Sequence, residues 1–260
     1  MEETGDVIPL QPDQVQAAPV RALAIPKWLA AIQVVLVSGV PTQLLMTAVL
    51  VIGLRVDPFG PPDSGAPFSL EFLSMMLLFD AALTALLIRI FLEMSGENSK
   101  TVIVGERRVW REVLLGVAWV PVILLSVSLL TNAVRAILPW MHTVKESPFL
   151  PFMNTPAEAA AFLVVVMLGA GIKEELARAF ILHRFEHYLG GRRWGLAVFS
   201  GWFGILHVDQ GLDAALSIML LGLFWGVLYY RRRSAVITMV NHAVFNGSQV
   251  LIVLATSLGS

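Results

Sequence analysis

Apolar runs of membrane-crossing length alternate along this chain with short polar connections that carry most of the charge. The runs lie near 28–54, 69–92, 113–138, 156–175, 194–208, 212–230 and 234–256. A helix of about 20 apolar residues crosses roughly 30 Å of hydrocarbon, and only helices or closed barrels satisfy their backbone polar groups there. The pattern predicts an all-α, polytopic integral membrane helical bundle of about seven transmembrane helices. The run at 194–208 is short and reads as a partial or tilted span. PWMHTVKESPFLPFMNT at 139–155 reads as an interfacial turn. Residues 1–26 are polar and acidic, without the basic and then apolar order of a cleaved signal, and read as a disordered cytoplasmic tail. The remainder divides into N-terminal transmembrane helices (27–155) and a core (156–260) that holds the candidate chemistry.

Composition agrees with a membrane domain. The chain is 57% hydrophobic and 14% charged, against about 25% charged for soluble domains. It has no cysteine, which excludes disulfides, thiolate metal sites and cysteine nucleophiles. A net charge of −1 leaves no basic surface for nucleic acid. Lys and Arg are unevenly placed. Arg21 and Lys27 precede the first run; Lys100, Arg107, Arg108 and Arg111 follow the second; Lys173, Arg178, Arg184, Arg192 and Arg193 follow the fourth; Arg231, Arg232 and Arg233 follow the sixth. The alternate connections carry Arg55, Arg135 and Lys145. The positive-inside rule then puts the N-terminus and the arginine-rich connections in the cytoplasm of a bacterial-type inner (plasma) membrane, with the C-terminus outside.

Ionisable groups inside spans are costly and need a reason to be there. The candidates are Asp80 in LLFDAALTALL, Glu174 with Glu175 and Arg178, His207 in WFGILHVDQG, and His242 with Asn246 in ITMVNHAVFNG. At 1.5 Å rise per residue, Glu174 lies roughly 24 Å from Gly190, His207 roughly 21 Å from Arg193, and His242 and Asn246 roughly 14 and 20 Å from Arg233. With tilt, all could meet at one depth. Residues four apart share a helix face, so Glu174 pairs with Arg178 and His242 with Asn246. A carboxylate and a histidine can activate water, and a second histidine beside an amide can donate to an oxyanion. The plain alternative is a buried ion pair, a carbonyl-bonded histidine and an interhelical clamp.

In order and spacing, Glu174-Glu175 with Arg178, Phe203-Gly-Ile-Leu-His207 and His242-Ala-Val-Phe-Asn246 resemble the three motifs of the CPBP (Abi) intramembrane proteases, which include the type II CAAX prenyl endopeptidases. The first motif departs from the family's Glu-Glu-x-x-x-Arg, because Ala179 stands where the arginine is expected and Arg178 comes one residue early. The resemblance implies an endopeptidase in which Glu174 and His207 activate water, His242 and Asn246 stabilise the oxyanion, and Glu175 and Arg178 support them. It implies a peptide or prenylated-protein substrate delivered among membrane lipid, and it also admits a non-catalytic scaffold or a bacteriocin-immunity-type protein. No cofactor is favoured; zinc on Glu174, His207 and His242 is the metalloprotease alternative.

Two rivals stand apart from this set. His183-Arg-Phe-Glu186-His187 fits the inverted zinc pattern H-x-x-E-H, but its arginine neighbours make a solvated helix end the simpler expectation. A transporter would call for internal repeats or several ionisable groups in the first spans, which offer Asp80 and Arg89.

Overall fold

The computed structural model describes residues 24–60 and 66–257. The expected tail at 1–26 lies almost wholly outside these residues. Among the described residues, all regular structure is helical.

Helix α1 (Lys27–Val37) meets α2 (Val40–Ala48) at a 53° bend. The bend falls on Gly39, whose φ of 99° disfavours any side chain, with Pro41 in the first turn beyond it. A π-helical turn, Val49–Gly53, extends α2. Helix α3 (Leu70–Met94) starts where Ser69 Oγ accepts from the Phe72 amide, and the short α4 (Ser99–Ile103) starts at Asn98. Helix α5 (Val109–Ile137) leads into irregular chain and short 3₁₀ turns over 138–155, where the sequence predicts an interfacial turn. Helix α6 (Pro156–Val165) opens on a Thr155/Glu158 capping box. A π-helical segment, Val166–Ile172, then carries the chain into α7 (Lys173–Tyr188). Helices α8 (Arg192–Ile205), α9 (Leu212–Arg232) and α10 (Val236–Ser257) complete the bundle.

Among the described residues the span count differs from the expected seven. By length and composition α3, α5, α9 and α10 can each cross a membrane, and the bent α1–α2 pair makes a fifth. The run at 156–175 is divided by its π segment into pieces of 10, 7 and 16 residues, and the last piece is rich in charge. Helix α8 has only 14 residues. The first is polar because its last piece holds the buried charges Lys173, Glu175, Arg178 and Arg184, whereas α8 is short and buries no charge. The spanning windows of α3 and α5 are 22% and 17% buried, against 44% for both α9 and α10. The first two therefore face outward and the last two line the interior.

The two ends of the bundle are chemically distinct. At one end the Ala235 amide donates to the Ile103 carbonyl, Arg107 Nε donates to the Arg232 carbonyl, and Glu186 pairs with both Arg192 and Arg233. At the other end the Leu212 amide donates to Thr143 Oγ1, and Arg135 and His142 both reach Asp213. Exposed Trp28, Trp110 and Trp194 mark the first end; exposed Trp140, Phe59 and Phe68 mark the second. Aromatic belts of this kind sit at membrane interfaces.

Three cations that the sequence places among the connection charges are inside the protein. Lys173, Arg178 and Arg184 are all buried. Lys173 Nζ lies 2.8 Å from Asp80 Oδ2, and Arg178 pairs with Glu175. Arg184 pairs with Glu97 and also donates to Gln33 at 2.8 Å, to the Phe91 carbonyl and to Ser95. Burying such charges is tolerated because each has an anion, and breaking a buried pair costs about 3–5 kcal/mol. Asp80, for which the sequence offers no partner, thus ties α3 to the start of α7.

Candidate active site

The site is built where the π-helical segment crosses α10. A Cβ added to Gly171 would fall 2.6 Å from Ala243 Cα, so only glycine permits this approach, as at close helix crossings in membranes. The extra residue in a π turn also rotates the helix downstream of it, a distortion frequent at functional sites. Together these set Glu174 and Glu175, the first acids of α7, against His242 on α10.

His242 sits between two carboxylates. Its Nδ1 lies 2.9 Å from Glu175 Oε1, and its Nε2 lies 3.8 Å from Glu174 Oε2. A carboxylate can only accept, so Nδ1 carries the hydrogen and Nε2 of the neutral ring holds a lone pair. Glu174 Oε2 is buried and has no hydrogen-bond partner. The 3.8 Å gap is one that a water or a reacting group can bridge. Arg178, which helical spacing pairs with Glu174, instead pairs with Glu175. Its guanidinium lies 4.7–5.1 Å from the ring centres of Phe203, Phe199 and Trp225, an aromatic enclosure that offsets part of its desolvation. Trp225 stacks on His242 with centroids 4.0 Å apart. The indole is fixed by donating to Asn241 Oδ1 at 2.7 Å, and Asn241 donates in turn to the Gly116 carbonyl at 2.9 Å.

His207 stands just beyond the end of α8 and before the 3₁₀ turn Val208–Gln210, not inside a helix. Its Nδ1 donates to the Phe203 carbonyl at 2.7 Å. A carbonyl only accepts, so Nε2 is left as the proton-accepting nitrogen. The carbonyl bond of the plain alternative is present, and it fixes the tautomer that a base would need. Asn246 is half-buried, and among the described residues no hydrogen bond holds its amide.

Glu174, His207, His242 and Asn246 all line one cavity of about 600 Å³. Its floor is Trp225 and Phe203, its walls include Leu77, Phe162 and Val250, and Lys173 of the Asp80 pair also borders it. The cavity combines apolar walls with convergent polar groups, as ligand sites do. Glu175 and Arg178 lie behind it, in contact with His242 and the aromatic floor.

Two zinc ligands in tetrahedral geometry lie about 3.4 Å apart, closer than Glu174 Oε2 and His242 Nε2. Among the described residues no three His, Cys, Asp or Glu side chains are grouped as metal ligands. The His183/Glu186/His187 trio is already occupied: His183 Nε2 lies 2.6 Å from Glu97, and Glu186 holds Arg192 and Arg233. That helix end is an ion-pair network, not the solvated face expected from sequence.

Lys173, Trp225 and Asn241 are the neighbours that the sequence does not single out, and Asp80 stands out only as an ionisable group in a span with no partner named. Lys173 adjoins Glu174 and looks like a flanking charge; Trp225 and Asn241 look like ordinary core and polar span residues. The unpaired acid at Asp80 is the one usable signal.

Residues 156–248 match the family model for the type II CAAX prenyl endopeptidase Rce1-like proteins. No curated protein and no solved structure matches the chain. The matched segment runs from the first residue of α6 into α10 and contains all six residues singled out from the motifs. Over residues 156–248 the chain is thus similar to the type II CAAX prenyl endopeptidase Rce1-like proteins, in agreement with the family that its three motifs resemble.

Proposed function

We propose that this protein hydrolyses a peptide bond at the membrane by a metal-free, glutamate-dependent mechanism. The observation that carries the reading is Glu174 Oε2, buried without a hydrogen-bond partner and facing His242 Nε2 across 3.8 Å. Water held in this gap loses a proton to Glu174, with His207 Nε2 as a second acceptor, while its oxygen attacks the scissile carbonyl carbon. The carbonyl electrons move onto oxygen, where the Asn246 amide donates to the developing charge. Neutral His242 has no hydrogen on Nε2. It becomes a donor to the oxyanion by taking the water's proton from Glu174, and the Glu175 carboxylate on Nδ1 stabilises the imidazolium that results. Collapse of the intermediate breaks the C–N bond, and the same proton passes to the leaving nitrogen. A carboxylic acid, which carries the water's second proton and ionises once it reaches water, leaves with the amine, and the site returns to its first protonation state.

The test compares purified wild type with Glu174→Gln on prenylated and unprenylated peptides delivered in lipid. Wild-type hydrolysis that Glu174→Gln abolishes supports the reading. Cleavage of the prenylated peptide alone indicates a CAAX endopeptidase, and cleavage of both a broader protease. Cleavage of neither favours a scaffold. Stoichiometric zinc, lost in His207→Ala or His242→Ala, would replace the glutamate mechanism with a metalloprotease.

A further inference from the structure

The cavity is open at one end of the bundle and closed at the other. Its outer lining includes Lys145, Glu146, Asp209 and Gln210, from the connections 138–155 and 208–211. Lys145, Glu146 and Asp209 are exposed. Its inner lining is Glu174, His242 and Trp225. Beyond Trp225, toward the ends of α7 and α9 and the start of α10, the interior is filled by buried Leu182, Tyr229, Ala235 and Ile237. Among the described residues, none from the connections 95–108, 189–191 or 233–235 borders the cavity.

The charge asymmetry can be assigned to these same two ends. Once buried Lys173, Arg178 and Arg184 are set aside, the closed end keeps Lys100, Arg107, Arg108, Arg111, Arg192, Arg193 and the three arginines at 231–233. The open end keeps Arg55, Arg135 and Lys145, and Arg135 is neutralised by Asp213 at 2.6 Å. A retained excess of Lys and Arg marks the cytoplasmic side of a membrane protein. Removing the buried cations therefore leaves the direction of the bias unchanged.

We infer that the candidate site opens on the extracytoplasmic face, and that its substrate is a peptide segment presented on that side of the membrane, not the C-terminus of a cytosolic protein. The substrate half of the proposal rests on the endopeptidase reading above; the orientation half does not. The mouth carries both signs of charge, Lys145 and Arg135 beside Glu146 and Asp209, so it selects by access and not by net charge.

The chain contains no cysteine, so single cysteines can report sidedness without background. Lys145→Cys and Asp209→Cys sit at the mouth; Arg193→Cys and Arg108→Cys sit at the closed end, and all four positions are exposed. In intact cells expressing the full chain, a membrane-impermeant maleimide should label the first two, and should label the second two only after permeabilisation. Glu146→Cys replaces either mouth variant if one fails to accumulate. The reverse pattern, or labelling of all four from one side, overturns the orientation. In a second arm, one peptide is displayed on either side of the membrane from a single-span anchor. Cleavage confined to the extracytoplasmic display and lost in Glu174→Gln supports the substrate assignment; cleavage of the cytoplasmic display overturns it. Cleavage of neither, with the expected labelling, removes the substrate half together with the endopeptidase reading and leaves the orientation standing.

Discussion

Glu175 Oε1 accepts from His242 Nδ1 at 2.9 Å while the same carboxylate pairs with the buried Arg178. One acid therefore orients the imidazole and neutralises the arginine behind it. Glu175→Gln can keep the hydrogen bond but loses the charge. Activity should fall by about 10²–10⁴, the range seen when an orienting carboxylate behind a histidine is neutralised. Stability should also fall by about 3–5 kcal/mol, because Arg178 is left buried without its anion. The pair Glu175→Gln with Arg178→Met should recover most of the stability and none of the activity. Recovery of both in denaturation and peptide-hydrolysis assays would make Glu175 merely structural.

Glu174 differs from Glu175 in lining the cavity, and its Oε2 has no hydrogen-bond partner. Glu174→Gln should therefore leave thermal stability within about 0.5 kcal/mol of wild type, since no hydrogen bond to that oxygen is lost, yet lower kcat by about 10²–10⁴. Asn246→Ala removes one amide donor and should cost about 10²–10³ in kcat. An Asn246→Ala variant with wild-type kcat would exclude its amide from the reaction.

Lys173, which borders the cavity, lies 2.8 Å from Asp80, and both are buried. Asp80→Asn should destabilise by about 3–5 kcal/mol by stranding the ammonium. Asp80→Leu with Lys173→Met should be far less harmful, because an apolar pair of similar volume removes the desolvation of both ions. A double variant no more stable than Asp80→Asn would mean that the pair contributes something besides mutual neutralisation.

Local pattern is the part of this structure that is legible in the sequence. Hydropathy places α3, α5, α9 and α10 within a few residues, because lipid demands long apolar runs. The three motifs locate Glu174, His207, His242 and Asn246, because ionisable and amide groups in apolar surroundings stand out by cost alone. Pairing across the bundle is not encoded locally. Asp80 and Lys173 are 93 positions apart in the numbering, and nothing near either names the other. Spacing of i,i+4 pairs Arg178 with Glu174, whereas the i,i+3 acid Glu175 receives it. Arg184 resembles a cytoplasmic flank because its partner, Glu97, comes from a different helix connection. Charge type can be read from one residue, but depth depends on which distant residue neutralises it.

Glu186 gives a pH test of the closed end. Burial pushes its carboxyl pKa up, but hydrogen bonds and charge from Arg233 and Arg192 outweigh this and hold it at about 2, below its ordinary 4.5. The folded-state pKa is thus the lower one. The unfolded chain binds the proton more readily, so the stabilisation is complete above about pH 4.5 and is lost as pH falls toward 2. The group keeps partial contact with water, which screens the pair and moderates its size. Thermal midpoints in detergent should therefore fall from pH 5 to pH 3 more steeply in wild type than in Glu186→Gln, which has no proton to gain there. The difference should shrink in high salt. Parallel acid profiles for the two proteins would show that the Arg192 and Arg233 contacts contribute nothing to folding, and the closed end would then rest on its apolar packing and on the Arg184–Glu97 pair.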